Sequence, residues 1–338
     1  MYSDVFNIIK ALSDIGGISG FEDNVMEKAE EFLPFINKIE KNLTSGFYAF
    51  MGDENAEKQI MLDAHIDQIG MMVTEIDSKG FLHVTNVGGI DRRTLPGSIV
   101  TVYGEKKIKG IVSVLPPHIS ESGDKVENTD KQYIDIGLNF EEASKIVSVG
   151  DAVILENETQ MLLNNRVTGS ALDDRAGCAA VIRACRLLKD AKLKCGVHIC
   201  LSSKEEIGGM GAEISAKRYK PTHAIAVDVS FAKQQGLSGK SGLGELGAGP
   251  MIGISPVLSK TMTKKLTELC KKNNIPYQLE VMGGSTGTDC DDIITQNGGV
   301  HTALLSIPQR SMHTPAEICD LEDIENLAKL IALYVLSI

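Results

Sequence analysis

Apolar positions along the chain follow two different rhythms, and the change between them predicts its organisation. Two helical patterns open the sequence. The second is expected to start at Ser19-Gly-Phe-Glu22, where a serine three residues before a glutamate is the arrangement of a capping box. The run Gln59–Ala64 then reads as a buried strand ending at His65. From about Gln68 to Leu163 the period becomes two. Short runs such as Ser98–Val102 and Gly110–Leu115 are separated by Gly88-Gly89, Pro96-Gly97 and Pro116-Pro117, which predicts a small all-β unit. Charged Glu121–Lys131 reads as an exposed loop inside it.

After Asn164, helix and strand patterns alternate. Helices are expected over Asp174–Ala191, Met210–Arg218, Lys260–Lys272 and Leu321–Leu336, the last capped by Asp320. Strands are expected over Val197–Ser202, Ala224–Val229 and Val300–Ile307. Strands alternating with helices imply an α/β fold with a largely parallel sheet. That pattern stops near His65 and resumes near Asn165, so the β-rich stretch 67–164 reads as an insertion into a domain made of 1–66 and 165–338. No internal repeat or low-complexity tract interrupts it. Gly236–Gly253 carries seven glycines but not the order of a phosphate loop, and reads as a mobile or close-approach loop.

Composition narrows the function. A chain of 338 residues has room for roughly two domains and, at 43% apolar, for a sizeable core. The net charge of −11 disfavours nucleic acid and anionic membranes as partners, because both need a basic face. No apolar run approaches the ~20 residues of a membrane helix. The opening segment carries Asp4, Lys10 and Asp14 where a signal peptide needs an apolar stretch, so a soluble cytoplasmic protein is expected. Seven cysteines without a C-x-x-C pair read as reduced thiols. The lack of tryptophan and the 5% aromatic content argue against a sugar-stacking platform.

Five places put His, Asp or Glu at a predicted strand end or in the turn that follows, where open α/β sheets build their sites. They are His65-Ile-Asp67, Asp173-Asp174, Glu205-Glu206, Asp228 and His313. Each has an ordinary explanation when taken singly: a satisfied strand-end histidine, a helix cap, a solvated acidic pair. Asp67 lies two residues from His65 on extended chain, so it can back that ring as the partner of a metal-bound imidazole. Asp228 follows an apolar run, and an acid there needs a counter-charge. Jointly the five places supply two histidines, three candidate ligand carboxylates and one spare acid. That set suits two divalent ions about 3.5–4 Å apart sharing one carboxylate. Ligation by nitrogen and oxygen without thiolate suits zinc, cobalt or manganese and does not choose among them.

The order of these motifs resembles the dinuclear-metal aminopeptidases that include glutamyl aminopeptidases and tetrahedral dodecameric aminopeptidases, some of which carry the name cellulase M. The resemblance runs through Ser19–Glu22, AHIDQIG (64–70), ALDDRAG (171–177), EEIGGMGA (205–212), Asp228-Val229, LGAGP (246–250), GTDC (287–290) and PQRSMHTPAE (308–317). It implies an α/β/α sandwich of exopeptidase type with an inserted small β-barrel-like domain that serves assembly into a homo-oligomer, up to a dodecamer. By the same resemblance His65, Asp173, Glu206, Asp228 and His313 are metal ligands, with Asp173 the bridge ahead of a cis peptide to Asp174. Glu205 is the general base and Asp67 the acid behind His65. The implied substrates are peptides with a free N-terminus. Gln68, Met210 and Ser311 depart from the residues usual in the family, at positions that are not ligands, and leave the substrate choice open. His118, after Pro116-Pro117, matches a family run with no assigned role.

Other chemistries share such ligand sets. Deacylation of N-acyl amino acids is one alternative, distinguished by an acyl cap in place of a free amine. Glucan hydrolysis fits less well, because glycosidase acids flank the bond about 5–9.5 Å apart, whereas Glu205 and Glu206 are adjacent. A non-enzymatic scaffold would require a vestigial ligand set, and here the set is complete.

Overall fold

Ile60, Leu62 and Ala64 point to one side of their strand and Met61 to the other, and all four are buried. A strand apolar on both faces belongs inside a sheet covered on both sides. The computed structural model describes residues 2–42, 44–115, 126–155, 157–237 and 242–338 and has that arrangement. The strand Gln59–His65 lies within an eight-stranded sheet. In spatial order the strands are Lys38–Asn42, Gly46–Gly52, Gly196–Ser202, Gln59–His65, His223–Phe231, His301–Gln309, Met251–Ile254 and Gln278–Val281. The four from Gly196–Ser202 to His301–Gln309 run parallel, so their carboxyl ends open on one edge.

One face of the sheet is covered by helices Ser3–Ser13, Asp23–Glu31, Leu172–Leu188, Lys260–Asn273 and Leu321–Leu336. The other carries Met210–Tyr219 and Asp289–Ile294, whose Ala212, Ala216, Cys290 and Ile293 pack on Met61, Ala224 and Ala226. This is the expected α/β/α sandwich. The β-rich stretch closes on itself as a six-stranded barrel of Gly70–Ile76, Leu82–Val87, Tyr133–Asp135, Lys107–Val112, Ile99–Tyr103 and Ala152–Leu155. Its separate core includes Met71, Val73, Leu82, Val84, Val100, Val102, Ile134 and Val153. A third, small sheet pairs Arg166–Gly169 with Glu317–Asp320 and so draws the segment before Asp173 against the segment after His313.

Several expectations shift. The capping box at Ser19 does not form: the helix starts at Asp23 with Glu22 as its uncapped neighbour, and Ser19 bonds elsewhere. Asp173 and Asp174 have non-helical backbone angles, so regular helix begins after them. The last three residues of the glycine-rich stretch read as loop, Met251–Gly253, belong to the strand Met251–Ile254, because Met251 and Ile252 pair with Ser306 and Leu305. Part of the supposed exposed loop is a 3-10 turn, Thr129–Lys131, with Thr129 buried. His118 and residues 121–125 of that loop lie outside the described residues. All seven cysteines are buried free thiols. Among the described residues no helix is long and apolar enough to cross a membrane.

Candidate active site

The parallel strands deliver the predicted residues to one place. His65 ends its strand, Asp228 sits near the end of His223–Phe231, and Glu205 and Glu206 follow Gly196–Ser202. His313 lies in the turn after His301–Gln309, and Asp173 enters from the helix side, joined to Asp174 by a cis peptide bond. Two groups of donor atoms result, each within 4.8 Å: His65, Asp173 and Asp228 in one, Asp173, Glu206 and His313 in the other. Asp173 belongs to both. Its Oδ1 is 3.0 Å from His65 Nε2 and its Oδ2 is 3.3 Å from His313 Nε2. Asp228 Oδ1 lies 3.9 Å from His65 Nε2, and Glu206 Oε2 lies 3.5 Å from His313 Nε2.

Main-chain carbonyls fix both rings. His65 Nδ1 donates to the Asp67 carbonyl at 3.1 Å, and His313 Nδ1 donates to the Gly89 carbonyl at 2.9 Å. A carbonyl only accepts, so each Nδ1 carries a hydrogen and each Nε2 is turned on the carboxylates. A neutral Nε2 lone pair facing carboxylate oxygens is repulsive. Either a proton or a cation has to stand between them. Among the described residues no Lys or Arg nitrogen comes within 4.0 Å of the Asp173, Glu206 or Asp228 carboxylates.

The electrostatics report the same shortage of positive charge. Burial pushes the Glu206 carboxyl up to about 10, with the like charge of Asp173 adding to it. Burial, also opposed by His65, leaves Glu205 at about 7, with Asp289, Asp173 and Asp67 as repelling neighbours. Asp228 is likewise raised by burial and by Asp173. Burial would lower the His65 imidazole, but Asp173 and Asp67 hold it well above its ordinary value. Buried oxygen and nitrogen donors crowded in this way fit divalent cations, whose charge would relieve the repulsion. Nitrogen–oxygen donor sets of this kind suit zinc, cobalt or manganese.

The supporting contacts were not legible beforehand. The Asp67 carboxylate accepts the main-chain N–H groups of Glu205 (3.2 Å) and Glu206 (3.4 Å) and the Ser19 hydroxyl, while its Oδ1 stays 3.6 Å from His65 Nδ1. Glu317 was not singled out at all. Its buried carboxylate accepts Asp173 N–H at 3.1 Å and His313 N–H at 3.0 Å, holding both segments that meet in the second group. The clue in the sequence was an acid two residues after Pro315, at the end of the PQRSMHTPAE run. Gly88 and Gly89 reach the site from the barrel. A Cβ at Gly89 would stand 3.0 Å from His313 Nδ1, and one at Gly88 would press on Ile69 and Glu206. Beneath the site, buried Asp63 and Asp289 share the Ser202 hydroxyl, at 3.3 and 2.6 Å.

Comparison with known proteins identifies the family. A family model described as M42 glutamyl aminopeptidase matches residues 46–330. The chain is 35% identical over 335 residues to an aminopeptidase homologue of Acetivibrio thermocellus, covering 97% of each. It is 33% identical to the lysyl aminopeptidase of Pyrococcus furiosus, covering 96% of this chain and 95% of that one. Among solved structures, the aminopeptidase APDkam598 of Desulfurococcus kamchatkensis superposes with a TM-score of 0.93 at 30% identity, covering 100% of this chain and 96% of that one. The Pyrococcus horikoshii TET1 peptidase, which assembles into a tetrahedron or an octahedral shell, gives 0.87 at 31% identity over 99% and 100%. The chain belongs to the M42 glutamyl aminopeptidase family of peptidases.

Proposed function

We propose that this chain is a metal-dependent aminopeptidase that removes residues from the free N-terminus of peptides. The observation that carries the reading is the position of Asp173, whose two oxygens face the Nε2 atoms of His65 and His313. In this reading His65, Asp173 and Asp228 hold one divalent ion and Asp173, Glu206 and His313 hold a second. When bound, such ions supply Lewis acidity to the scissile carbonyl and acidify water. Glu205 takes the proton of the attacking water and passes it to the leaving amine. With its carboxyl lifted toward neutrality by burial, it is poised to exchange a proton. Asp67 fixes the turn that presents Glu205 and Glu206. The acidic wall favours the ammonium group of a free N-terminus, which selects trimming over internal cleavage.

We assign residues 1–66 and 165–338 to the catalytic domain and 67–164 to an inserted oligomerisation domain. A groove of about 740 Å³ on the barrel, lined by Ile99, Ile111 and Val114, supports an assembly role. Those three side chains are exposed, which is unusual for apolar residues clustered on one surface. Homo-oligomers are also the form of the Pyrococcus horikoshii relative, and a dodecamer is the expected size. Seven free thiols support a cytoplasmic location.

The test is digestion of a peptide pool, half with free and half with acetylated N-termini, by chelated enzyme with and without added zinc or cobalt. Stepwise loss of N-terminal residues from the free half, restored by metal, is the expected result. Change confined to the acetylated half would replace the reading with deacylation.

A further inference from the structure

The Glu280 carboxylate belongs to neither donor group and has no role in the site described above. Glu280 lies on the edge strand Gln278–Val281 and is half-buried. One of its oxygens accepts from Ser230 Oγ and the other accepts from Ser306 Oγ at 2.6 Å. Ser306 is the registered neighbour of Asp228 across a parallel pair of strands, and Ser230 is two residues beyond Asp228 in the same strand. Registered neighbours and residues two apart project from one face of a sheet. Asp228, Ser230 and Ser306 therefore share a face at the carboxyl edge. Glu280 reaches that face across Gly253, its partner in the intervening strand, which has no side chain to stand in the way. The Glu280 carboxylate thus sits roughly one to two strand spacings of ~4.8 Å from Asp228.

Among the described residues no Lys, Arg or His nitrogen lies within 4.0 Å of Glu280, and Lys233, a cation on the segment after Ser230, is paired with Glu245 at 3.0 Å. A carboxylate offers about four acceptor positions, and the two serines occupy one on each oxygen. The serines fix its direction and leave capacity for a further donor.

We propose that Glu280 selects the first side chain of the peptide and makes this enzyme prefer lysine or arginine at the N-terminus. This rests on the aminopeptidase reading. With the α-amino group of the substrate beside Asp228, the side chain of the same residue extends across the face carrying Ser306. A long aliphatic stem ending in a cation then places its charge on the Glu280 carboxylate, forming a charge-assisted hydrogen bond.

The test is kcat/KM for the p-nitroanilides of Lys, Arg, Leu and Glu with metal-loaded wild type, Glu280→Gln and Glu280→Lys. Wild type is expected to favour Lys and Arg over Leu, with Glu poorest. Glu280→Gln keeps the shape and one accepting contact, the other serine hydroxyl turning to accept from the amide NH2, and it should lower the Lys-to-Leu ratio about 10- to 100-fold, chiefly through KM. Glu280→Lys should move preference toward Glu. Because the readout is a ratio, a partly misfolded variant does not mimic the effect. A wild type that favours Leu or Glu, or a Glu280→Gln ratio within about twofold of wild type, overturns the assignment while leaving the aminopeptidase standing. Failure to release any of the four residues, metal present, removes both.

Discussion

Ser19 Oγ donates to Asp67 Oδ2 at 2.5 Å, tying the turn before the second helix to the acid behind the active-site turn. The same carboxylate holds the main-chain N–H groups of Glu205 and Glu206, so a residue distant in sequence helps set the direction of both glutamates. Asp67→Asn should lower metal affinity or kcat/KM about 10- to 100-fold, the range for a residue that orients ligands without binding. Ser19→Ala removes one hydrogen bond to a charged group and should cost about tenfold. Metal titration followed by calorimetry, alongside kinetics, checks both. Wild-type values in Asp67→Asn would show that the turn holds itself.

Glu205 belongs to neither donor group, yet burial and the neighbouring carboxylates raise its carboxyl to about 7. Glu205→Gln should retain metal at wild-type stoichiometry and lose about 10²–10⁴ in kcat, the span of general acid–base contributions. Metal content by mass spectrometry and turnover measured on the same sample separate the two effects. Near-normal kcat would remove Glu205 from the proton transfer.

The barrel contributes to the site through Gly89, whose carbonyl fixes His313 and whose missing side chain leaves room for the ring. Gly89→Ala should displace His313 and weaken metal binding to its group, while His65 and Asp228 keep theirs. The expected signature is a loss of affinity in one of two binding phases, read in a cobalt or zinc titration. Two unchanged phases would mean that the ring absorbs the methyl group without moving.

His198 gives a pH dependence away from the catalytic centre. It is buried on the strand Gly196–Ser202, donates from Nε2 to Gln59 Oε1 at 3.0 Å and accepts at Nδ1 from Tyr48 OH at 3.0 Å. Burial, helped by Lys38, lowers its pKa from 6.5 to about 4. In that window the unfolded chain binds the proton and the folded chain does not, so stability from this group is whole above the upper value and lost as pH falls. Between pH 7 and 5 its contribution is on the order of 2 kcal/mol. Urea unfolding at both pH values should show a smaller acid loss in His198→Gln than in wild type. Equal losses would mean that the folded chain takes up the proton at His198 as readily as the unfolded chain does.

Much of this architecture was legible because local pattern and burial agree. The strand Gln59–His65 is apolar on both faces, so its position inside a covered sheet could be read from the sequence. The chemistry of strand ends and the turns after them marked five places, His65-Ile-Asp67, Asp173-Asp174, Glu205-Glu206, Asp228 and His313, and the family resemblance picked the ligand set out of them. The Ser19–Glu22 spacing misled for an equally physical reason. The helix starts at Asp23, and the serine hydroxyl is drawn to the buried charge of Asp67. The glycine-rich stretch hid the strand Met251–Ile254, because pairing with Ser306 and Leu305 outweighed its weak local preference.

The sequence by itself determined the alternation of elements, the interruption by a β unit and the supply of ligand-type residues, since these depend on residue chemistry at short separation. Only the tertiary structure decided that Asp173 stands between His65 and His313. That position depends on the small sheet joining Arg166–Gly169 to Glu317–Asp320 and on the Glu317 carboxylate bonded to both segments. The closeness of Gly89 to His313, and of Glu280 to the Asp228 face, is decided the same way. Contacts between distant segments follow from strand order and register, and no local spacing encodes them.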